Sequence, residues 1–229
     1  MRTDAGVAAD AQLRAQLVDF ARRLNSTGLS VGKSGNLSAR CSTGFLVTPS
    51  GVAYDALTAA DIVACDARGV AADGALRPSS EWRIHRDIYA ARPEVAAIVH
   101  AHSTHAGALA CTRRGIPAFH YMVLAAGGND IRCADYATFG TGALSAAVLA
   151  ALEGRRACLM ANHGQLAVGA TLAQAFSLAM EVEQLAQQYV IAIQLGGPVL
   201  LADDEMDAVR VQFATAYGNR DEDAPPAVG

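Results

Sequence analysis

Residues 95–105 read VAAIVHAHSTH, and Val95 to His102 within them form a β-prone apolar run that predicts a strand. His100 and His102 stand two residues apart at its end, where the period-two alternation of a strand points both imidazoles to one face. Two metal-ligand positions are then preformed, although such a pair is as often a satisfied or surface pair of histidines. Of the six histidines, His85, His105 and His120 lie near this pair in sequence, and the sixth is His163. It occupies Asn162-His163-Gly164 between two strand-like runs, Cys158 to Asn162 and Leu166 to Val168, a tight connection that would hold an imidazole at a sheet edge. Three neutral imidazoles suit an open zinc site, leaving positions for substrate and the cation's charge free to act as a Lewis acid. Glu81 is the carboxylate candidate, with the alternative that it is a first-turn glutamate favoured by the helix dipole.

Around this segment the hydrophobic period switches between helix and strand. Residues 8 to 25 carry Leu13, Leu17, Phe20 and Leu24 at helical spacing, ended by Asn25-Ser26-Thr27-Gly28. Leu37 to Cys41 and Phe45 to Thr48 are short strands between glycine turns. Thr58 to Asp61 matches a capping box ahead of a strand from Ile62 to Cys65. Pro78-Ser79-Ser80 precedes a helix from Glu81 to Ala91, and Ala106 to Ala110 is a short helix. Thr141 is placed to cap a helix running to Glu153. Thr171 opens the longest helical pattern, with Leu172, Phe176, Met180 and Leu185 near one face and Gly196-Gly197-Pro198 as its stop. Gly127-Gly128-Asn129 is a turn, since it lacks the spacing of a dinucleotide-binding loop. Asp203 to Tyr217 is a final helix, and residues 218–229 are expected to be a mobile tail.

Composition bounds the function. The 229 residues suit one domain, and 52% are apolar, but 49 are alanine and only 6% of the chain is aromatic, so the core should pack finely rather than bulkily. A net charge of -4 without a basic face argues against nucleic acid as a partner. No apolar run approaches the roughly 20 residues of a membrane span, and MRTDAGVAAD lacks the apolar stretch of a signal peptide, so a cytoplasmic protein is expected. The five cysteines form no CxxC pair and read as reduced, mostly buried thiols. Lys33 is the only lysine and lies in a loop-like stretch, which argues against Schiff-base catalysis.

A second constellation holds no titratable group: Gly35-Asn36, Ser50-Gly51 and Ser79-Ser80. Glycine-freed N–H groups, hydroxyls and a helix N-terminus can together surround a phosphate without a basic side chain, though each dipeptide alone is an ordinary turn or cap. Tyr121, Phe139 and Tyr217 are aromatic candidates, either packing residues or, for the tyrosines, proton donors.

The segments SGNLSAR (34–40), VTPSGVAYDALT (47–58), PSSEWRIH (78–85), VHAHSTH (99–105), IPAFHYMVLAAGGN (116–129), YATFGT (136–141) and NHG (162–164) together resemble the zinc-dependent class II aldolase/adducin family, and within it the branch acting on L-fuculose 1-phosphate. The resemblance runs in order from about residue 8 to 218. It implies an α/β fold, three-layer α/β/α around a mainly antiparallel sheet, as one domain over residues 1–229 that assembles as a homotetramer with sites between subunits.

By the same resemblance His100, His102 and His163 match zinc ligands, one ion per subunit, and Glu81 matches a catalytic acid/base that also contacts the metal. Gly35, Asn36, Ser50, Gly51, Ser79 and Ser80 match phosphate positions. Ser50 stands where a threonine is expected, a change that keeps the hydroxyl. Tyr121, supplied by a neighbouring subunit, with Phe139 and Tyr217, matches the group handling the aldehyde. The implied reaction is reversible cleavage of a ketose 1-phosphate, L-fuculose 1-phosphate or a close analogue, to dihydroxyacetone phosphate and a short aldehyde such as L-lactaldehyde. Rivals within the family are a pentulose-5-phosphate 4-epimerase, a methylthioribulose-phosphate dehydratase and a non-catalytic adducin-like scaffold. The epimerase calls for an additional acidic residue after Tyr121, where this chain has apolar Leu124, Ala125 and Ala126.

Overall fold

Alternation along two neighbouring strands sets up the architecture, as seen in a computed structural model that describes residues 4–215; Tyr217 and the tail 218–229 lie outside the described residues. In β1 (Asn36–Cys41), Leu37 and Ala39 enter one core while Asn36, Ser38 and Arg40 have the opposite parity. In β4 (Ala97–Ala101), Ala97, Val99 and Ala101 enter that same core, and Ile98 enters a second core on the other face. The two strands pair antiparallel with Asn36 opposite His100, so two polar side chains of like parity become neighbours in the middle of the molecule.

The remaining strands are β2 (Gly44–Val47), β3 (Val63–Asp66), β5 (Cys133–Ala134), β6 (Ala157–Met160) and β7 (Gly164–Gly169). They form one seven-stranded sheet in the order β3-β2-β1-β4-β7-β6-β5. Every pairing is antiparallel except β5 with β6. One face is covered by α1 (Asp4–Ser26), α3 (Thr104–Cys111) and α5 (Leu172–Gln194), with α6 (Asp203–Thr215) at its margin. The other is covered by α2 (Trp82–Ala91) and α4 (Gly142–Ala151). This is the three-layer α/β/α arrangement with a mainly antiparallel sheet that the family resemblance implies.

Small side chains decide how closely the layers meet. Ala175, Ala179 and Ala186 of α5 share a core with Ala97 and Ala101 of β4 and Ala167 of β7, which lets helix and sheet backbones approach. Larger anchors such as Leu17, Leu24, Leu37 and Phe176 fill the space between, each worth about 1.5–3 kcal/mol when fully buried. Met180 corrects one expectation: it is 37% exposed, because it turns away from the stripe formed by Leu172, Ala175, Phe176, Ala179 and Val182.

Local signals in the sequence set several boundaries. The Thr58–Asp61 capping box is present, and the hydroxyls of Thr141 and Thr171 accept from the N–H groups of Leu144 and Gln174. The two-residue β5 and the 3₁₀ segment Tyr121–Ala126 were not anticipated, since neither is long enough to show a period. Gly127 ends the latter in the left-handed region, consistent with its reading as a turn. The cysteines are unpaired as expected, but only Cys65 and Cys158 are buried; Cys41 and Cys133 are half-buried and Cys111 is exposed. Among the described residues no helix is long and apolar enough to cross a membrane.

Candidate metal centre and its cavity

Three elements deliver four side chains to one point. β4 ends at Ala101, so His100 lies within the strand and His102 just beyond it. His163 sits in the β6–β7 connection, where Asn162 takes a positive φ of 54° and the His163 N–H donates to the Met160 carbonyl at 3.0 Å. Gly164 is required there, because a Cβ at that position would stand 2.4 Å from the Ala101 carbonyl oxygen. Glu81 precedes the first turn of α2, but its carboxylate makes no capping bond and turns instead to the histidines. Its alternative reading, a glutamate placed for the helix dipole, is therefore not the arrangement observed.

Within the cluster His100 Nε2 lies 2.9 Å from His102 Nε2 and 3.1 Å from Glu81 Oε2, while His163 Nε2 lies 3.4 Å from Glu81 Oε1. The three rings meet edge-on with centroids 4.8–4.9 Å apart, and the four ligating atoms all lie within 4.8 Å of one another. His100 Nδ1 donates to the Gln165 carbonyl at 2.8 Å, so in its neutral form the ring presents the lone pair of Nε2 to the cluster. Glu81 Oε1 is buried and has no hydrogen-bond partner. Converging imidazole nitrogens, one orphaned carboxylate oxygen and a second-sphere carbonyl fit a divalent cation bound by three nitrogens and one oxygen.

The charges are strongly coupled. Burial pushes the Glu81 carboxyl up, but the charge and hydrogen bond of His100, the charge of His163 and the Asn36 amide outweigh it and hold Glu81 well below the usual carboxylate range. Burial works against the His100 imidazolium, yet Glu81 and the Gln165 carbonyl raise it overall. Burial and the neighbouring His100 lower His102 and His163 to about 4 each.

Above the cluster opens a cavity of about 370 Å³. Glu81, His102 and His163 line it, as do Gly35, Ser50, Gly51, Ser79 and Ser80. Two backbone bonds tie the serine loops together, from Ser50 N–H to the Arg77 carbonyl at 2.9 Å and from Ser79 N–H to the Thr48 carbonyl at 3.0 Å. Gly35 has φ of 76°, and a Cβ there would meet the His100 carbonyl oxygen at 2.7 Å. Phe139 lines the cavity and is exposed, as is Tyr136, which sequence reasoning did not single out although it opens the YATFGT segment.

Asn36 and the phosphate rim are placed differently from the reading of the sequence. Asn36 does not line the cavity: it is buried, with its amide spent on Glu81 and His85. The serine and glycine rim is not free of basic side chains, because Lys33 lines it as well. Tyr121 is 44% exposed, stacked on His120 and packed edge-on against Phe213, and does not line the cavity of its own chain. Of the clustered histidines, His105 is held by Glu183 at 2.8 Å and His120 accepts from the Met122 N–H, so these two serve local structure.

Comparison with known proteins adds independent findings. A family profile described as Class II Aldolase and Adducin N-terminal domain matches residues 15–190. The chain is 51% identical over 215 residues to a 5-methylthioribulose-1-phosphate/5-deoxyribulose-1-phosphate aldolase of Rhodospirillum rubrum, covering 94% of this chain and 97% of that protein. It is 45% identical over 213 residues to an L-fuculose phosphate aldolase of Escherichia coli strain K12, covering 93% and 98% respectively. A solved structure of an L-fuculose 1-phosphate aldolase superposes with a TM-score of 0.85 at 41% identity, covering 89% of this chain and 96% of that one.

Proposed function

We propose that this chain, which belongs to the class II aldolase and adducin family, reversibly cleaves a ketose 1-phosphate to dihydroxyacetone phosphate and a short aldehyde with an apolar end. The enzyme class itself is that of its relatives, a carbon–carbon lyase of the class II aldolase type. The observation that carries the reading is the convergence of Glu81, His100, His102 and His163 at the floor of a cavity rimmed by glycines and serines. Class II aldolases use a divalent metal ion, and the donor set here favours zinc, held by the three histidines and Glu81. When bound, the ion supplies the positive charge that offsets negative charge developing on the ketose oxygens as the bond between C3 and C4 breaks.

The chain's own groups divide the remaining work. Ser50, Ser79 and Ser80 with the backbone of Gly35 and Gly51 take the phosphate, and Lys33 adds a positive charge beside them. Asn36, which resembles a phosphate position in sequence, serves instead behind Glu81. Glu81, held ionised by its surroundings, removes the C3 proton of dihydroxyacetone phosphate in synthesis and returns it in cleavage. Phe139 and Tyr136 shape the aldehyde end. Tyr121, exposed and outside its own cavity, protonates the aldehyde oxygen of a neighbouring subunit in a homotetramer, and Tyr217, outside the described residues, joins it there. We read the whole chain as one cytoplasmic domain.

L-Fuculose 1-phosphate would yield lactaldehyde, 5-deoxyribulose 1-phosphate acetaldehyde, and 5-methylthioribulose 1-phosphate methylthioacetaldehyde; all three aldehydes end in a methyl or methylthio group. The two sets of relatives support these as the substrates to test. Each is incubated with purified enzyme, with and without chelator, and L-ribulose 5-phosphate serves as the epimerase control. Triose phosphate should form from one or more of the 1-phosphates, cease on chelation and return with zinc. An isomerised pentulose without triose, or undiminished cleavage after demetallation, would overturn the proposal.

A further inference from the structure

Glu81, His85 and Tyr89 fall four residues apart, one turn after another on a single stripe of the α2 segment. Asn36 and Ser38 fall two apart on one face of β1. Four helical residues advance about 6 Å, and two strand residues advance about 6.6 Å. The stripes therefore stay in register as the helix lies over the sheet, and their side chains interleave.

The result is one continuous polar chain. Asn36 Nδ2 donates to Glu81 Oε2 at 2.9 Å, and Asn36 Oδ1 lies 2.6 Å from His85 Nε2. His85 Nδ1 lies 2.6 Å from Ser38 Oγ, which lies 2.7 Å from the Tyr89 hydroxyl. All five residues are buried, where an unpaired polar group is costly, so each bond constrains the next.

Donor and acceptor chemistry orients the whole chain. An ionised Glu81 can only accept, so the Asn36 NH₂ must face it and the Asn36 carbonyl must face His85. His85 Nε2 then carries the proton, His85 Nδ1 accepts from Ser38, and Ser38 accepts from Tyr89. Every proton points toward Glu81. Burial, with His100 nearby, holds His85 down at about 3, in keeping with a neutral ring. Turning the amide of Asn36 over would set two acceptors against each other at Glu81 and two donors against each other at His85, so the His85 donor adds to the barrier against that flip. Glu81 Oε2 is thereby fixed, while the buried Oε1, 3.4 Å from His163 Nε2, makes no hydrogen bond.

We propose that His85 is a positioning residue that, acting through Asn36, fixes the Glu81 carboxylate for proton transfer, an inference resting on the reading of Glu81 as the proton carrier. The test uses the two substitutions that keep different halves of the imidazole. His85→Gln places an amide nitrogen near the position of Nε2 and keeps a donor for Asn36; His85→Asn reaches Ser38 but not Asn36. The readouts are hydrogen–deuterium exchange at C3 of dihydroxyacetone phosphate without aldehyde, kcat and KM for cleavage, and bound metal.

We expect His85→Asn to lower exchange and kcat by about 10–100-fold, as for other groups that orient a metal-site ligand, with KM and metal content near wild type. His85→Gln should recover most of that loss. In the metal-free protein, nitrogen-15 imidazole spectra should show His85 as the neutral Nε2–H tautomer. Equal exchange rates in the two variants, or an Nδ1–H tautomer, would overturn the proposal. Glu81→Gln separates the two readings: wild-type exchange in that variant removes the proton-carrier assignment, whereas its loss beside a fully active His85→Asn removes only the role of His85.

Discussion

His100 and His102 bring their Nε2 atoms to 2.9 Å while His100 Nδ1 is already committed to the Gln165 carbonyl. Two aromatic nitrogens so close share at most one proton, and Glu81 completes a set that a cation satisfies better than any hydrogen-bond pattern. We expect His102→Ala to abolish metal retention and turnover together. Glu81→Gln should retain the metal and lose most activity, since it leaves three imidazoles. Elemental analysis of dialysed protein beside a cleavage assay decides the matter, and equal metal loss in both variants would make Glu81 a structural ligand.

The same geometry gives a pH dependence. His102 and His163, held at about 4, are already neutral near pH 7, whereas His100 is raised by Glu81 and the Gln165 carbonyl, so there a proton competes with a metal. Metal uptake should therefore release protons, and affinity should fall as pH falls. Zinc titration in weakly buffered solution at several pH values would show both; uptake without proton release would contradict this ordering.

Gly164→Ala should disturb the metal site from the backbone. The added Cβ would stand 2.4 Å from the Ala101 carbonyl oxygen and 3.2 Å from His102 Cδ2, with β4 and β7 unable to part without losing their ladder. A cost of about 1–3 kcal/mol is expected from such overpacking, together with weaker metal binding. Gly142→Ala, in open space at the start of α4, is the control and should leave both the melting temperature and metal content unchanged or slightly raised.

Lys33 is exposed at the cavity rim beside Gly35, Ser50 and Ser80, and it is the only lysine in the chain. Lys33→Met should raise KM for the phosphorylated ketose by about tenfold, or about 1.4 kcal/mol, with kcat little changed and Lys33→Arg largely restoring it. Inorganic phosphate should inhibit the methionine variant more weakly. An unchanged KM and phosphate inhibition would place the lysine outside the phosphate subsite.

Alkaline stability should reflect Tyr54, whose hydroxyl is pushed up to about 12 by burial and donates to the Gly35 carbonyl at 2.6 Å. A raised folded value means that the stabilisation is fully present below the unfolded tyrosine value, about 10, and disappears as pH climbs to about 12. The loss should approach about 3 kcal/mol. Tyr54→Phe should be less stable at neutral pH and flatter across that alkaline range, which thermal melts at stepped pH would reveal.

Much of this molecule could be read before folding was considered. Alternation and helical spacing located β1, β4 and α2, hydroxyl caps located the starts of α4 and α5, and histidine spacing with the quoted segments pointed to the four residues of the candidate metal centre. These are local properties, determined by how a side chain sits on its own backbone. The structure decided who meets whom: that Asn36 faces His100 across the β1–β4 ladder, that its amide goes to Glu81 and His85 rather than the cavity, and that Lys33 stands at the rim. A period of two or 3.6 states which face a residue occupies but not which neighbour lies across the gap. That neighbour depends on strand register and on the small alanines that let the layers close, both of which arise only when distant parts of the chain pack together.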